Sequence, residues 1–393
     1  MFDFNDIPFF DNHAHLINYD HKRRAVLTKN ELDASSLCVE FLHGRRDVLP
    51  VNNNGKFGIS PELLFNLQHL GVVRTLVHSL SQYFGCVPTM EAVLAKRNER
   101  TSTDLVGYTK ELYRDQNIIA VMVDDGSPMG DPSLDCFPCR TLRLFQMDPQ
   151  FQTLLKECRN YDELAERHKS NVQQAATEGF SGIKSHVLEL VSTSVRIVEH
   201  DEAEDAFEDA RAGMPEALDT VYLAAFTETM RLCRERKLPV HIHTGCTGNP
   251  NDLLGNGCDP FRMIAFLNEP EFYNVRVVFL HGSYPNLRNA ALMTHCFPHV
   301  WVDLSWSLPW ISLNFAQCLL EVLGVASHAK ILLGSGQHGI PEISWLAAKT
   351  AKSALSAVME ELVQQNLLAE SQARETAEFL LYKNAARLYA LNI

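Results

Sequence analysis

Long apolar runs are missing from this chain; none approaches the ~18 residues that a membrane span requires. A basic surface is missing as well. Acidic residues outnumber basic ones 48 to 35, a net charge of −13, which argues against the positive face that nucleic-acid binding needs. The first residues, Met1-Phe2-Asp3-Phe4-Asn5-Asp6, carry acid where a signal peptide carries base, so the expectation is a cytoplasmic protein. The ten cysteines lack the regular spacing of a disulfide framework and read as reduced thiols. Cys136-Phe137-Pro138-Cys139 has redox or zinc spacing, but no second pair follows and no helix clearly starts at its first cysteine, so it reads as a loop pair. Neither a Gly-x-Gly-x-x-Gly nor a phosphate-loop pattern occurs, and nucleotide binding has no support. There is no internal repeat and no low-complexity tract. What remains is 393 residues, 46% of them hydrophobic, ample for one large core or two ordinary ones.

Within that chain the stretch Asp11-Asn12-His13-Ala14-His15-Leu16 follows an apolar run, Ile7 to Phe10, that reads as a buried strand. Residues two apart on a strand share a face, so His13 and His15 can close on one cation. Alone, they are equally readable as two polar strand-end residues, and later strand ends must decide. Residues 16–115 read as mostly helical, with helical spacing at Pro61–Leu67 and Met90–Ala95 and a loop at Asn52–Gly55. Further strands are expected at 117–123, 141–145, 182–187, 238–243, 275–281, 300–304 and 330–335, with helices between most of them. Eight short apolar strands alternating with helices indicate a parallel sheet closed on itself, a (β/α)8 TIM barrel. The expectation is one domain, 1–393, with a helical insertion at 16–115 after the first strand. The run from Glu199 to Asp209, with seven acids, reads as a solvated loop or helix face.

Polar residues stand at the strands' C-terminal ends: His13, His15, Asp125, Lys184, His243, His281 and Ser335. Barrels build chemistry on that face. With Val123-Asp124-Asp125-Gly126, Gly182-Ile183-Lys184-Ser185, His243-Thr244-Gly245, His281-Gly282-Ser283-Tyr284-Pro285 and Asn384-Ala385-Ala386-Arg387-Leu388-Tyr389, this set resembles the amidohydrolase superfamily of metal-dependent barrel hydrolases. Within it the chain looks closest to the amidohydrolase-2 branch, including the domain fused in some proteins to a glutamine-synthetase-like partner. The resemblance implies a divalent metal, zinc by ligand type with iron or manganese as alternatives, held by His13 and His15 with His243 and His281 as further ligands or site acids. Lys184 stands where some members carry a carboxylated, metal-bridging lysine; a free ammonium would repel a cation, so the other reading is a charged Lys184 that binds a substrate carboxylate. His241 is expected to line the pocket. Arg143 is expected either to hold a substrate carboxylate or to pair with Asp124 or Asp125. Tyr284, Trp306 and Trp310 are candidate walls, although aromatics at such positions are more often packing.

The chain departs from the family pattern at strand eight. Relatives place an aspartate there that binds metal and takes the proton from water; here the stretch is Gly334-Ser335-Gly336-Gln337-His338, and counting back from Pro341-Glu342 sets Gly336 in the aspartate's place. Three explanations compete: a disabled variant, an enzyme with another base (His338 or His281), or a binding protein without catalysis. The Tyr-Arg pair that often follows the lysine strand is absent too, leaving Val187-Leu188-Glu189-Leu190. The function expected is metal-dependent hydrolysis of a small amide or related C–N bond through an activated water, with Lys184, His281 and His338 as catalytic candidates. Decarboxylation, lactone hydrolysis and metal or ligand binding without catalysis are the alternatives. A small-molecule substrate and a homodimer formed through residues 16–115 are the expected partners.

Overall fold

A computed structural model describes residues 2–17, 19–20, 25–26, 30–42, 49, 58–127, 130–246 and 258–392. The loop expected at Asn52–Gly55 lies outside them. Nine strands form one sheet: β1 (Phe9–Ile17), β2 (Ile118–Asp124), β3 (Arg140–Gln146), β4 (Gly182–Ser185), β5 (Val240–Ile242), β6 (Val277–Phe279), β7 (Val300–Asp303), β8 (Ile331–Leu332) and β9 (Gln337–Gly339). Each pairs in parallel with its neighbour in chain order from β1 to β8, and β9 returns to pair with β1. β8 and β9 are therefore two halves of the expected eighth strand. The backbone between them is still bonded to β1, with Asn12 N–H donating to Leu333 O at 3.0 Å and Gly336 N–H to His13 O at 2.7 Å. The barrel closes through this broken strand.

The strands are short because they are buried on both faces. β2, Ile-Ile-Ala-Val-Met-Val-Asp, is buried except for the half-buried Ile119, the near-continuous apolar run that a helix-covered parallel strand demands. Inside the barrel Phe10, Met122, Leu142, Leu144, Val278 and Trp301 pack together with Ala385 and Leu388 from the C-terminus. That explains the Asn384–Tyr389 motif. Asn384 Nδ2 donates to the carbonyls of His328 and Ile331, both at 2.7 Å, and pins the last helical turn to β8.

Helices Ala34–Val39, Pro61–Gln68, Gly71–Phe84, Met90–Thr101 and Leu105–Asp115 lie between β1 and β2. Asp33, Ser60, Thr89 and Asp104 cap four of them by accepting a backbone N–H three residues on. The acidic run forms the helix His200–Arg211, which buries Ala203, Phe207 and Ala210 and presents its carboxylates outward. The strands expected at 182–187, 238–243, 275–281, 300–304 and 330–335 all end early. Val187 belongs to a short helix, Val187–Leu190, and His281 leaves β6 in the left-handed region, φ 67°. No helix among the described residues is long and apolar enough to cross a membrane. All ten cysteines are free, including Cys136 and Cys139.

A buried ion pair ties the helical stretch to the rest, Arg97 Nε to Glu342 Oε1 at 2.7 Å, with Arg97 also donating to Asn30 O. Removing one partner leaves the other charge buried and uncompensated. Arg97→Ala or Glu342→Ala should each lower the unfolding free energy by ~3–5 kcal/mol in urea titrations; a loss below ~1 kcal/mol, the range of solvent-exposed pairs, would contradict the burial of this contact.

Candidate metal centre

The alternation of β1 turns His13 and His15 toward the barrel mouth, and β2 ends beside them in Asp124. One ligand atom from each of the three lies within 4.8 Å of the others, and among the described residues this is the group with such spacing. His13 Nε2 stands 3.8 Å from Asp124 Oδ2. The same carboxylate oxygen accepts from Lys184 Nζ at 3.0 Å, and Asp124 Oδ1 accepts from Gln146 Nε2 at 2.9 Å. Burial alone would raise the Asp124 pKa, but Lys184, His13 and His15 together bring it well below the usual carboxylate range. The result is a fixed anion at the base of the site.

Around it the imidazoles form a contiguous array. The His13 ring centroid is 5.2 Å from that of His15 and 5.1 Å from that of His281. His281 lies 4.7 Å from His243, His243 lies 5.2 Å from His186, and His338 stacks on His15 at 4.0 Å. Burial first, and neighbouring imidazoles and Lys184 second, hold His13, His243 and His281 well below the ordinary imidazole pKa. They are neutral and present lone pairs, the form that ligates metal. His243 Nε2 is engaged by Cys246 O at 2.9 Å, and His281 Nδ1 by Ser305 Oγ at 3.2 Å.

Other expected residues are placed differently. Lys184 is buried and paired with Asp124, an ammonium held by a carboxylate rather than facing an open pocket. Arg143 is buried too and spends its guanidinium on Asp125 Oδ1 at 2.5 Å, the pairing that was one of its two readings. His241 does not line the mouth. It points the same way as His243 but two residues deeper on the strand, where its Nε2 meets the Tyr389 hydroxyl at 3.1 Å; burial and then Lys184 push its pKa down to about 3. Tyr389 in turn donates to Asn12 Oδ1 at 2.6 Å, and Asn12 Nδ2 donates to Asp303 Oδ2 at 2.7 Å. This network lies beneath the histidines, with Asp303 bonded to Asn12. Trp306 stands 6.3 Å from the His281 ring, 6.4 Å from Tyr284 and 5.6 Å from Trp310, so these aromatics flank the array on one side.

Gly336 is set by backbone geometry. Its φ is +59°, and a Cβ there would lie 2.7 Å from Trp306 N and 2.8 Å from Trp306 Cα. An aspartate has no room at this point; the carboxylate among the histidines comes instead from Asp124, which reading by residue type had passed over in favour of Asp125. His186, with Asp148 behind it, was also missed. Its signal was the i, i+2 spacing from Lys184, the same spacing that marked His13 and His15.

A family model described as amidohydrolase matches residues 163–391, more than half of the chain. The chain belongs to the amidohydrolase family. Solved structures share the barrel fold well beyond the matched residues. A putative metal-dependent hydrolase from Lactobacillus casei superposes with a TM-score of 0.77 at 18% identity, covering 98% of this chain and 96% of that one. Uronate isomerase from Thermotoga maritima gives a TM-score of 0.70 at 16% identity, covering 98% and 95%. Protein fluG of Emericella nidulans is 31% identical over 172 residues, 42% of this chain but only 19% of that much longer protein. The residues present fit the metal expected of an amidohydrolase. Both ring nitrogens of the buried His13 have no hydrogen-bond partner, and two imidazoles with one carboxylate are a donor set for zinc or ferrous iron.

Because Gly336 sits in the left-handed region against a backbone, Gly336→Asp should cost ~1–3 kcal/mol of stability from strain and overpacking and bring no gain in metal content. Urea unfolding and elemental analysis check this; a stable variant that binds more metal would contradict it.

Proposed function

We propose that this protein is a metal-dependent hydrolase acting on a small amide or related C–N bond. The observation that supports the reading most directly is the approach of His13, His15 and Asp124 donor atoms to within 4.8 Å at the mouth of an amidohydrolase barrel. A divalent ion bound there would supply a Lewis acid and lower the pKa of a bound water toward ~7.

The chain's own residues prepare that chemistry. Lys184 and Gln146 hold the Asp124 carboxylate in place and anionic. The deep hydrogen-bonded network of Asp303, Asn12, Tyr389 and His241 forms the floor of the site. His281, beside His13 and fixed by Ser305, is placed to steady negative charge growing on a carbonyl oxygen. His338 against His15 offers a second imidazole at the rim. Gly336 then marks a close backbone crossing in this reading and not a disabled residue.

Zinc at ~100 times its dissociation constant should raise the unfolding free energy by ~2.7 kcal/mol. Chelation should remove the gain, and His13→Ala or Asp124→Asn should reduce it to less than ~0.5 kcal/mol under the same conditions, since a site short of one donor no longer binds. Denaturant titrations with and without zinc, and turnover against a panel of small amides, provide the measurement. No metal binding at micromolar concentration would contradict the reading. Turnover confined to lactones or to carboxylates would move the same site to ester hydrolysis or decarboxylation, and a loaded chain inert to all three would be a binding protein.

A further inference from the structure

His186 stands one residue beyond β4 and is gripped at two points by one carboxylate. Its backbone N–H donates to Asp148 Oδ2 at 3.0 Å, and its Nδ1 lies 2.7 Å from the same oxygen. Asp148 is buried, and its other oxygen accepts from the Tyr222 hydroxyl, which is 2.9 Å from Ser185 Oγ. A carboxylate on Nδ1 fixes the proton there and leaves a lone pair on Nε2. The ring stacks on His243, interplanar angle 26°, and so ends the imidazole array on the side away from His338.

Half-exposed, His186 lines a solvent-open cleft with Gln146, Pro149, Gln152, Glu189 and Leu190. Gln146 lines this cleft, and its side chain also donates to Asp124 of the metal centre. Among the described residues, neither lysine nor arginine lines the cleft; the nearby cations Lys184 and Arg143 pair with Asp124 and Asp125. Strand eight offers no carboxylate for proton transfer, because Gly336 has no room for one. Here an imidazole with an oriented tautomer lines a cleft suited to an amine and unsuited to an anion.

We propose that His186 carries the proton to the leaving nitrogen, and that the amine half of the substrate, neutral or cationic, occupies this cleft. The assignment rests on the hydrolase reading above. A water oxygen forms the new bond to the carbonyl carbon while the C–N bond breaks and its electron pair stays on nitrogen. One proton of that water passes to His186 Nε2 and on to the nitrogen, so the imidazole ends neutral as it began. Nothing is oxidised or reduced. Asp148 is a positioning residue that fixes the tautomer and stabilises the transient imidazolium.

Two measurements test this. In long-range ¹⁵N spectra of histidine-labelled protein, the signal lost in His186→Asn should show Nδ1–H and a bare Nε2, and Asp148→Asn should scramble that tautomer; an Nε2–H form in the unmutated chain would overturn the proposal. On amides that the unmutated chain hydrolyses, His186→Asn and His186→Gln should each lower kcat by ~10²–10⁴ with KM and bound metal unchanged. Unaltered kcat in both variants would overturn the role of His186 alone, while a metal-loaded chain that hydrolyses no amide would overturn the hydrolase reading and this assignment with it.

Discussion

Asp124 carries its charge where burial by itself would neutralise it, and the site depends on how that conflict is resolved. Lys184 reaches the carboxylate from the adjoining part of the sheet at 3.0 Å, and the charge is held by attraction and not by water. Removing either member would leave the other as an isolated buried ion, a state that costs several kcal/mol. The pair also shapes the surrounding histidines. Lys184 adds a positive field to the burial that already keeps His13, His243 and His281 neutral. One ion pair thus maintains an anion and several imidazole lone pairs side by side.

The barrel stacks this chemistry in layers. Its apolar interior, closed by Ala385 and Leu388, lies deepest. Above it runs the hydrogen-bonded floor of Asp303, Asn12, Tyr389 and His241, in which burial pushes the Asp303 pKa up to about 6. The histidines and Asp124 lie above that floor. A second buried acid, Asp11, ties the break in strand eight to β1: it accepts from Ser335 N–H at 2.7 Å and from the Ser335 and Ser344 hydroxyls. Burial raises Asp11 to about 6 despite these donors. These bonds hold the break against β1, and its tight crossing at Trp306 is what calls for glycine at 336.

Much of this was readable from residue order. Runs such as Asn-Ile-Ile-Ala-Val-Met-Val have no stable place except a buried parallel strand, so element order and the barrel followed from composition and spacing. The histidine ends followed from the rule that barrels carry chemistry at one face. Other features depended on information that spacing does not carry. Choosing Asp125 over Asp124 is a one-residue slip, and in a strand one residue changes the face. His241 and His243 share a face, but depth along the barrel separates the floor from the mouth. Strand eight looked continuous because a left-handed glycine and a neighbouring backbone leave no mark in a count of residues. His186 was hidden by its position just past a strand end, where a backbone bond to Asp148, 38 residues earlier, decides its orientation.

Convergence of imidazoles and a carboxylate from separate strands on a single ion is the central claim, and anomalous diffraction from metal-loaded crystals addresses it most directly. The account predicts one strong peak at the absorption edge, within coordination distance of His13, His15 and Asp124. A peak bound elsewhere, or a loaded crystal with no anomalous density at these three side chains, would contradict it.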